Sequence, residues 1–128
     1  MKNTSLRIGN LVFFDSKMAI GKHVEIATIE NHGVRVFNGA HDENGNKHLT
    51  MIIPYSEIRG ICLTKKWLLE KGFVFGALTE QGEFYSKGQV EILASHVTKR
   101  FSIVGDDMDI EYVHQLQNLY FALTGKEL

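Results

Sequence analysis

The residues best suited to metal chemistry in this sequence lie in one polar loop, GAHDENGNKH. It contains His41, Asp42, Glu43 and His48, whose imidazole and carboxylate groups are of the types that bind zinc or nickel. A flexible hairpin tip, however, gives such ligands no fixed geometry and no surrounding hydrogen bonds. We interpret the loop as a solvated turn, and we predict no metal site and no cofactor.

The sequence gives little indication of a catalytic nucleophile or of a nucleotide-binding site. Cys62 is the only cysteine, and it lies between Ile61 and Leu63. A cysteine flanked by aliphatic residues is more often a small buried hydrophobic residue than an activated thiolate. None of the glycines belongs to a GxxxxGK[ST] or GxGxxG motif after a strand, so no phosphate-binding loop is indicated. We predict that the chain is not an enzyme, and a small hydrolase is the third interpretation.

The segment EYVHQLQNLYFALTG, from Glu111 to Gly125, has the pattern of an amphipathic helix. Asp109 is the predicted N-cap, Met108 and Val113 stand at the two staple positions, and Gly125 follows the last turn. One arc of this helix is predicted to face the core, and it comprises Tyr112, Val113, Leu116, Leu119, Tyr120 and Leu123.

A second stripe on the same helix is the candidate binding site. It consists of His114, Gln117, Asn118 and Phe121, which are neighbours at spacings of three and four residues. A solvated helix face normally carries Lys and Glu, whereas this one carries amides, an imidazole and a large ring. Two interpretations follow. Either a loop or hairpin of the same chain covers the stripe, or the stripe is open and docks a partner, with Phe121 as the aromatic anchor.

The elements that would position these residues begin with a β-rich segment from Gly9 to Pro54. Its apolar stretches are rich in β-branched and aromatic residues, and Asn44-Gly45 suits a hairpin turn. About four or five antiparallel strands of this length predict a small SH3-like barrel that ends at Pro54. Alternation predicts an inward-facing set that consists of Val24, Ile26, Val34 and Val36.

The rest of the chain combines helices with further strands. After one helical turn and a connector within IPYSEIRGICL, Thr64 is the predicted cap of a short helix within LTKKWLLEKGF. Leu63 and Leu68 occupy its staple positions, and Gly72 is suited to close it. The stretches FVFGAL, EFYS, QVEILAS and TKRFSIV then predict two more hairpins.

Composition and charge set the class of protein. The chain has 128 residues, 44% of them apolar, and its 14 basic and 15 acidic residues are interleaved. The pairs Lys65-Lys66 and Lys99-Arg100 do not form a phosphate track by themselves. The start lacks the apolar core of a signal peptide, and no apolar run is long enough to span a bilayer. We therefore expect a cytoplasmic protein that does not associate with membranes.

The chain resembles a family of short proteins from gut anaerobic bacteria and their phages or mobile elements. The resemblance rests on LRIGNLV near the start, ICLTKKWLLEKGF in the middle and YVHQLQNLYFALTGKEL at the end. It implies a bacterial, phage or mobile-element context, and it assigns no activity, cofactor or site residue.

Together these patterns predict a single α+β domain over residues 1–128. Residues 1–60 would form the SH3-like β part, and residues 61–128 the short helix, the hairpins and a C-terminal helix packed on the sheet. We expect a non-enzymatic accessory or protein-binding domain that contacts a protein partner or a second copy of itself. The alternative is a nucleic-acid-binding module of a mobile element, which the near-neutral charge disfavours.

Overall fold

The structure is a computed structural model that describes residues 6–14, 23–41, 43–45, 47–49, 52–105 and 108–128. Two antiparallel sheets and a C-terminal helix confirm the predicted α+β class. The chain divides into two compact units, Met1–Ile61 and Cys62–Leu128. That boundary lies within a residue of the division predicted at 60/61, while folding as a single domain stays a prediction. Within the described residues, no helix has the length and apolar character needed to cross a membrane.

The first unit contains one antiparallel sheet. Its strands are β1 Leu11–Phe14, β2 His23–Ile29, β3 Gly33–His41, β4 Lys47–Leu49, β5 Ile53–Pro54 and β6 Ile58–Arg59. The strand order is β4-β3-β2-β1-β6, and β5 pairs with β3. A single 3-10 turn, Tyr55–Glu57, separates β5 from β6, which confirms the predicted turn after Pro54. Among the described strands no pairing closes the sheet, so the SH3-like barrel stays a prediction.

The predicted inward-facing set is confirmed. Val24, Ile26, Val34 and Val36 are all buried, and they form one cluster with residues that include Val12 and Ile58. HVEIATIE is therefore a strand, as its alternation indicated. The close approach of β3 and β5 also explains Gly33, since a Cβ atom there would overlap the carbonyl oxygen of Ile53.

The second unit contains a five-stranded antiparallel meander and two helices. The strands are β7 Val74–Leu78, β8 Gly82–Lys87, β9 Val90–Ser95, β10 Phe101–Ile103 and β11 Asp109–Ile110, in the spatial order β11-β10-β9-β8-β7. The helices are α1 Lys65–Glu70 and α2 Val113–Thr124. The two predicted hairpins are present, and the short β11 extends the same sheet.

Helix α1 begins and ends as predicted. The Thr64 Oγ1 atom accepts a hydrogen bond from the backbone N–H of Trp67 at 3.3 Å. Leu63 and Leu68 are both buried, and Gly72 adopts a positive φ of 89° after the last turn.

Helix α2 begins three residues later than predicted, and the predicted cap is wrong. Asp109 lies in β11 opposite Ser102 of β10, so its backbone is committed to the sheet. The N-cap is Tyr112, and the Gln115 Oε1 atom accepts hydrogen bonds from the backbone N–H groups of Glu111 and Tyr112, at 2.8 and 3.0 Å. The predicted Met108 staple is also wrong, because that side chain is exposed.

The core of the second unit lies on one face of the meander. Tyr120 of α2 contacts the Phe73 ring edge to face, with 6.3 Å between ring centroids. The Lys87 ammonium of β8 lies 5.1 Å from the centre of the Tyr120 ring and donates to the carbonyl oxygen of Lys71. Through these contacts α2 packs beside the last residue of β8.

Candidate functional site

The predicted stripe on α2 is divided between the interior and the surface. His114 and Gln117 are buried, with 1% and 3% of their surface exposed, whereas Phe121 is 40% exposed and Asn118 is half-buried. Leu123, predicted to face the core, is exposed. The buried face of the helix comprises Val113, His114, Leu116, Gln117 and Tyr120.

The stripe therefore does not form one open surface. The buried residues of α2 do recur at spacings of three and four, as in an amphipathic helix. The buried face, however, includes His114 and Gln117, which the sequence placed outside the core-facing arc. Coverage by the chain itself is observed for these two residues. Asn118 and Phe121 remain accessible in part, and their role in partner binding stays a prediction.

His114 has an unusual environment for a buried polar side chain. Its ring stacks on Tyr112 with 5.6 Å between centroids and an interplanar angle of 10°. Its Nδ1 atom has no hydrogen-bond partner among the described residues. Burial lowers the pKa of the imidazole, because the charged form loses its hydration. The ring is therefore neutral at pH 7 and is packed as part of the core.

Cys62 differs from its predicted environment, because its side chain is exposed. Ile61 and Leu63 on either side of it are buried, so Cys62 points the other way, as alternation in an extended segment requires. The segment pairs with Tyr112 through an isolated β-bridge.

No cluster of three or more His, Cys, Asp or Glu side chains within the described residues could hold a metal ion. In the predicted turn, Asp42 and the side chains of His41 and His48 lie outside what the structure describes.

A cavity of about 160 Å³ lies beside the turn that joins β9 to β10. Its lining includes Ser95, His96, Lys99 and Arg100 from this turn, together with Lys65, which is the first residue of α1. The two basic pairs that are separate in the sequence each contribute to it. We call this group, Lys65, His96, Lys99 and Arg100, the basic cluster.

Two of these cations are held by carboxylates. The Lys65 Nζ atom lies 2.9 Å from Glu83 Oε2, and Arg100 Nη1 lies 3.2 Å from Asp109 Oδ2. The Lys99 ammonium has no partner among the described residues. An ammonium has three donors and a guanidinium five, so each paired cation keeps donors that can meet a ligand.

The carboxylate that holds Lys65 is itself fixed by a buried tyrosine. The Tyr85 hydroxyl donates to Glu83 Oε2 at 2.6 Å. Hydrogen bonds from Tyr85 and then from Lys65 lower the pKa of Glu83. Burial and the bond to Glu83 raise the pKa of Tyr85 to about 12. Glu83 is therefore ionised and Tyr85 protonated at pH 7.

The turn beneath the cavity is ordered by its own side chains. Ser95 Oγ accepts from the backbone N–H groups of Val97 and Thr98, each at 3.2 Å, and Thr98 Oγ1 accepts from that of Arg100. Lys99 has a φ of 60° and is the only non-glycine residue of the described chain with a positive φ. Its side chain is thus presented from an uncommon backbone conformation.

The sequence could not identify this cluster, since each basic pair taken alone indicates an ordinary solvated surface. Lys65 and Lys99 are 34 positions apart in the sequence. They meet only because α1 lies beside the β9–β10 turn.

A different feature of the same sheet is the open edge formed by β7. All five of its residues, Val74–Leu78, are exposed and uncharged. Phe75 and Leu78 are 53% and 66% exposed. No described strand pairs with the outer side of β7, and the opposite edge, β11, has only two residues. Unpaired backbone groups and exposed apolar side chains therefore occur together on this strand.

The pairing register shows which way these side chains point. Phe75 lies opposite Tyr85 and Leu78 opposite Glu83, so both share the sheet face of the buried Tyr85. One extra residue, Gly76, interrupts the register and turns both apolar side chains to that face. The apolar face of the sheet therefore continues to the edge without being covered there.

Comparisons with family models, with curated proteins and with solved structures find no match to this chain.

Proposed function

We propose that this chain is a non-enzymatic protein-binding domain and that β7 is its docking edge. The observation that carries the proposal is an uncharged edge strand whose apolar side chains are exposed on the core face of the sheet. Proteins usually protect such an edge with charged residues, proline or a very short strand. Apart from the bulge at Gly76, β7 has none of these protections.

An added strand would pair with the free backbone groups of this edge and would also cover its exposed apolar side chains. Its backbone would pair with the outer N–H and C=O groups of β7, as in strand addition to other sheets. Its side chains would cover Phe75 and Leu78, which extend the face formed by Tyr85 and Ile92. Each apolar side chain removed from water in this way favours association.

The occupant we propose is β7 of a second copy of this chain. Antiparallel pairing of the two edge strands would bring residues of the stretch VFGAL in one copy opposite residues of the same stretch in the other. These pairs are all apolar, and no like charges meet. A two-fold interface of this self-complementary kind is the commonest in soluble oligomers.

The experiment is a measurement of mass in solution over a wide concentration range, by sedimentation or light scattering. We expect the wild-type chain to form a dimer, and the variant Phe75→Lys to be a monomer, because pairing would bury two like charges. The matched control is Val97→Lys, which adds the same charge to an exposed residue of the β9–β10 turn.

Circular dichroism would establish that each variant is folded. Should Phe75→Lys fail to fold because its ring contacts Tyr85, Val74→Lys supplies the same test from the other face of β7. A wild-type chain that stays monomeric at high concentration, or a variant that dimerises as well as the wild type, would contradict the proposal.

We also propose that the first unit has an SH3-like topology. Support comes from the meander β1 to β4, the 3-10 turn after β5 and the return of β6 to pair with β1. The cytoplasmic location and the phage or mobile-element context belong to the same proposal. An experimental structure in which β1 and β6 do not pair would contradict the topology.

A nucleic-acid-binding module is the second candidate function, and the basic cluster is the observation that favours it. The described cluster is confined to one turn and the start of one helix. A domain with a formal net charge of −1 supplies no wider positive field. We therefore expect binding to duplex or single strands to be weak and to disappear at moderate salt.

A further inference from the structure

We infer that the cavity beside the β9–β10 turn is a binding site for a single phosphate group, carried by inorganic phosphate or by a phosphomonoester. The inference does not rest on the proposed function, since none of the residues that would bind the phosphate lies in β7.

The charges around the cavity suit a small anion. Among the described lining residues and their ion-pair partners, three cations, Lys65, Lys99 and Arg100, stand beside two carboxylates, Glu83 and Asp109. The surplus is therefore positive in a chain whose formal net charge is −1. His96 adds a further nitrogen donor to the lining when its ring N–H faces the ligand. An anion placed here would lie in a cavity that all three of these cations line.

The two ion pairs position the cations without using up their donors. Glu83 takes one hydrogen bond from Lys65, and Asp109 takes one from Arg100. The planar guanidinium of Arg100 can still present two parallel N–H groups, the geometry that matches two phosphate oxygens. Lys65 and Lys99 act as point charges on either side. Less side-chain freedom is then lost when the ligand binds.

The backbone of the turn is fixed before any ligand arrives. Ser95 and Thr98 hold it through their hydroxyl groups, and Lys99 is kept at a φ of 60°. Non-glycine residues in this conformation occur where the surrounding structure dictates them, often at ligand sites. The Lys99 ammonium, which has no partner in the part of the chain that the structure describes, lines this cavity.

The dimensions favour one phosphate group over a nucleic-acid strand. A strand needs cations that continue along its backbone, usually interleaved with exposed aromatic rings. The next cation on α1 is Lys66, whose Nζ atom lies 3.9 Å from Glu70 Oε1. This cation is therefore paired with a carboxylate and does not extend the basic cluster along a strand. A cavity of about 160 Å³ with converging cations suits one compact anion.

The test is a titration of the full chain with inorganic phosphate, followed by nuclear magnetic resonance at constant ionic strength set with sodium chloride. We expect saturable shifts confined to the amides of residues 95–100 and of Lys65. The variants Lys99→Asn and Arg100→Gln should each weaken binding by about tenfold or more. Asparagine is chosen at position 99 because it tolerates the left-handed conformation.

The matched control is Lys66→Gln, which removes one positive charge from α1 outside the cavity. Its phosphate affinity should stay within about twofold of the wild-type value, because solvent and salt screen a charge at that distance from the ligand. Shifts that do not saturate, or that chloride produces equally, would overturn the inference. So would equal weakening by the control and by the cavity variants.

Two further ligands distinguish the source of the phosphate. Phosphoserine that binds as tightly as inorganic phosphate would support a phosphomonoester ligand, and binding of inorganic phosphate alone would support a free anion. A single-stranded oligonucleotide without a terminal phosphate should bind more weakly than either. If it binds more tightly, and Lys99→Asn weakens it, the surface recognises nucleic acid and the inference of a single phosphate group is wrong.

Discussion

The ring of His114 is enclosed in the second unit, and no described residue forms a hydrogen bond with its Nδ1 atom. A polar atom without a partner costs free energy in the interior, so the site tolerates a neutral imidazole and resists a charged one. His114, which was predicted to lie on the candidate binding stripe, is therefore part of the core.

Stability should depend on pH through this residue. Burial lowers its pKa below the ordinary value, so the unfolded chain binds a proton more readily than the folded chain. The contribution is fully present above the unfolded pKa, about 6.5, and is lost as the pH falls toward the folded pKa. We expect the free energy of unfolding to drop between about pH 7 and pH 5 more steeply in the wild type than in His114→Gln.

The measurement is chemical denaturation at several pH values. The control is His96→Gln, which changes an exposed histidine and should keep the wild-type slope. Parallel pH profiles for wild type and His114→Gln would show that burial of this ring has no energetic consequence.

Phe121 provides a second prediction at the scale of single residues. At 40% exposure it should lose about 1 to 2 kcal/mol of stability on mutation to alanine, because only part of its ring is removed from water. Leu116→Ala, at a fully buried position of the same helix, should lose about 2 to 5 kcal/mol. Thermal or chemical denaturation of both variants makes the comparison. Equal losses would place Phe121 in the core, and a change of oligomeric state in Phe121→Ala would support the predicted stripe as an interface.

At the scale of elements, the start of α2 shows how a sheet can override a helix cap. Asp109 has a residue type that caps helices well, but pairing with Ser102 draws it into β11. The first backbone N–H groups are then satisfied by Gln115, which reaches back from the first turn. The helix start is capped, but Gln115 provides the cap and the predicted cap, Asp109, does not.

This difference can be measured. Gln115→Ala should cost about 1 kcal/mol, the usual loss for a removed helix cap. Asp109→Ala should cost only a few tenths, about 0.2 to 0.5 kcal/mol, because it breaks an exposed ion pair with Arg100. Denaturant titrations of both variants are sufficient. A larger loss of stability for Asp109→Ala than for Gln115→Ala would contradict this assignment and support Asp109 as the helix cap, as the sequence predicted.

At the scale of the whole molecule, a chain of 128 residues is predicted to fold as one domain, while its contacts divide into two units. The only tryptophan, Trp67, lies in the second unit, so its fluorescence reports that unit. Ile26 is fully buried in the first unit. If the two units unfold together, Ile26→Ala should shift the Trp67 transition by its full loss, about 2 to 5 kcal/mol.

Leu116→Ala is the control for this experiment, because it lies in the same unit as Trp67 and must shift the fluorescence transition in either case. Circular dichroism follows both units at once. An Ile26→Ala variant with an unchanged Trp67 transition and a separate earlier change in circular dichroism would contradict the single domain.

The features that the sequence determined by itself are local ones. Alternation predicted the buried set of Val24, Ile26, Val34 and Val36, and the Thr64 cap and Gly125 stop follow from residue types within one turn. Each depends on neighbours a few positions apart, where backbone geometry fixes which side chains share a face. Two-residue strands such as β6 and β11 carry too few residues to show any period.

Tertiary structure alone decided which residues meet and which surfaces stay open. Whether β7 is a central or an edge strand depends on the order of the whole sheet, and its own residues read as an ordinary apolar strand. The side of α2 that is buried depends on what packs against it, so His114 and Gln117 replaced Leu123 in the interior. Lys65 joins Lys99 and Arg100 only through the packing of α1 beside a distant turn. Contacts between residues far apart in the chain leave no period in the sequence. The basic cluster is made of such contacts, whereas β7 is open because no described strand pairs with its outer side.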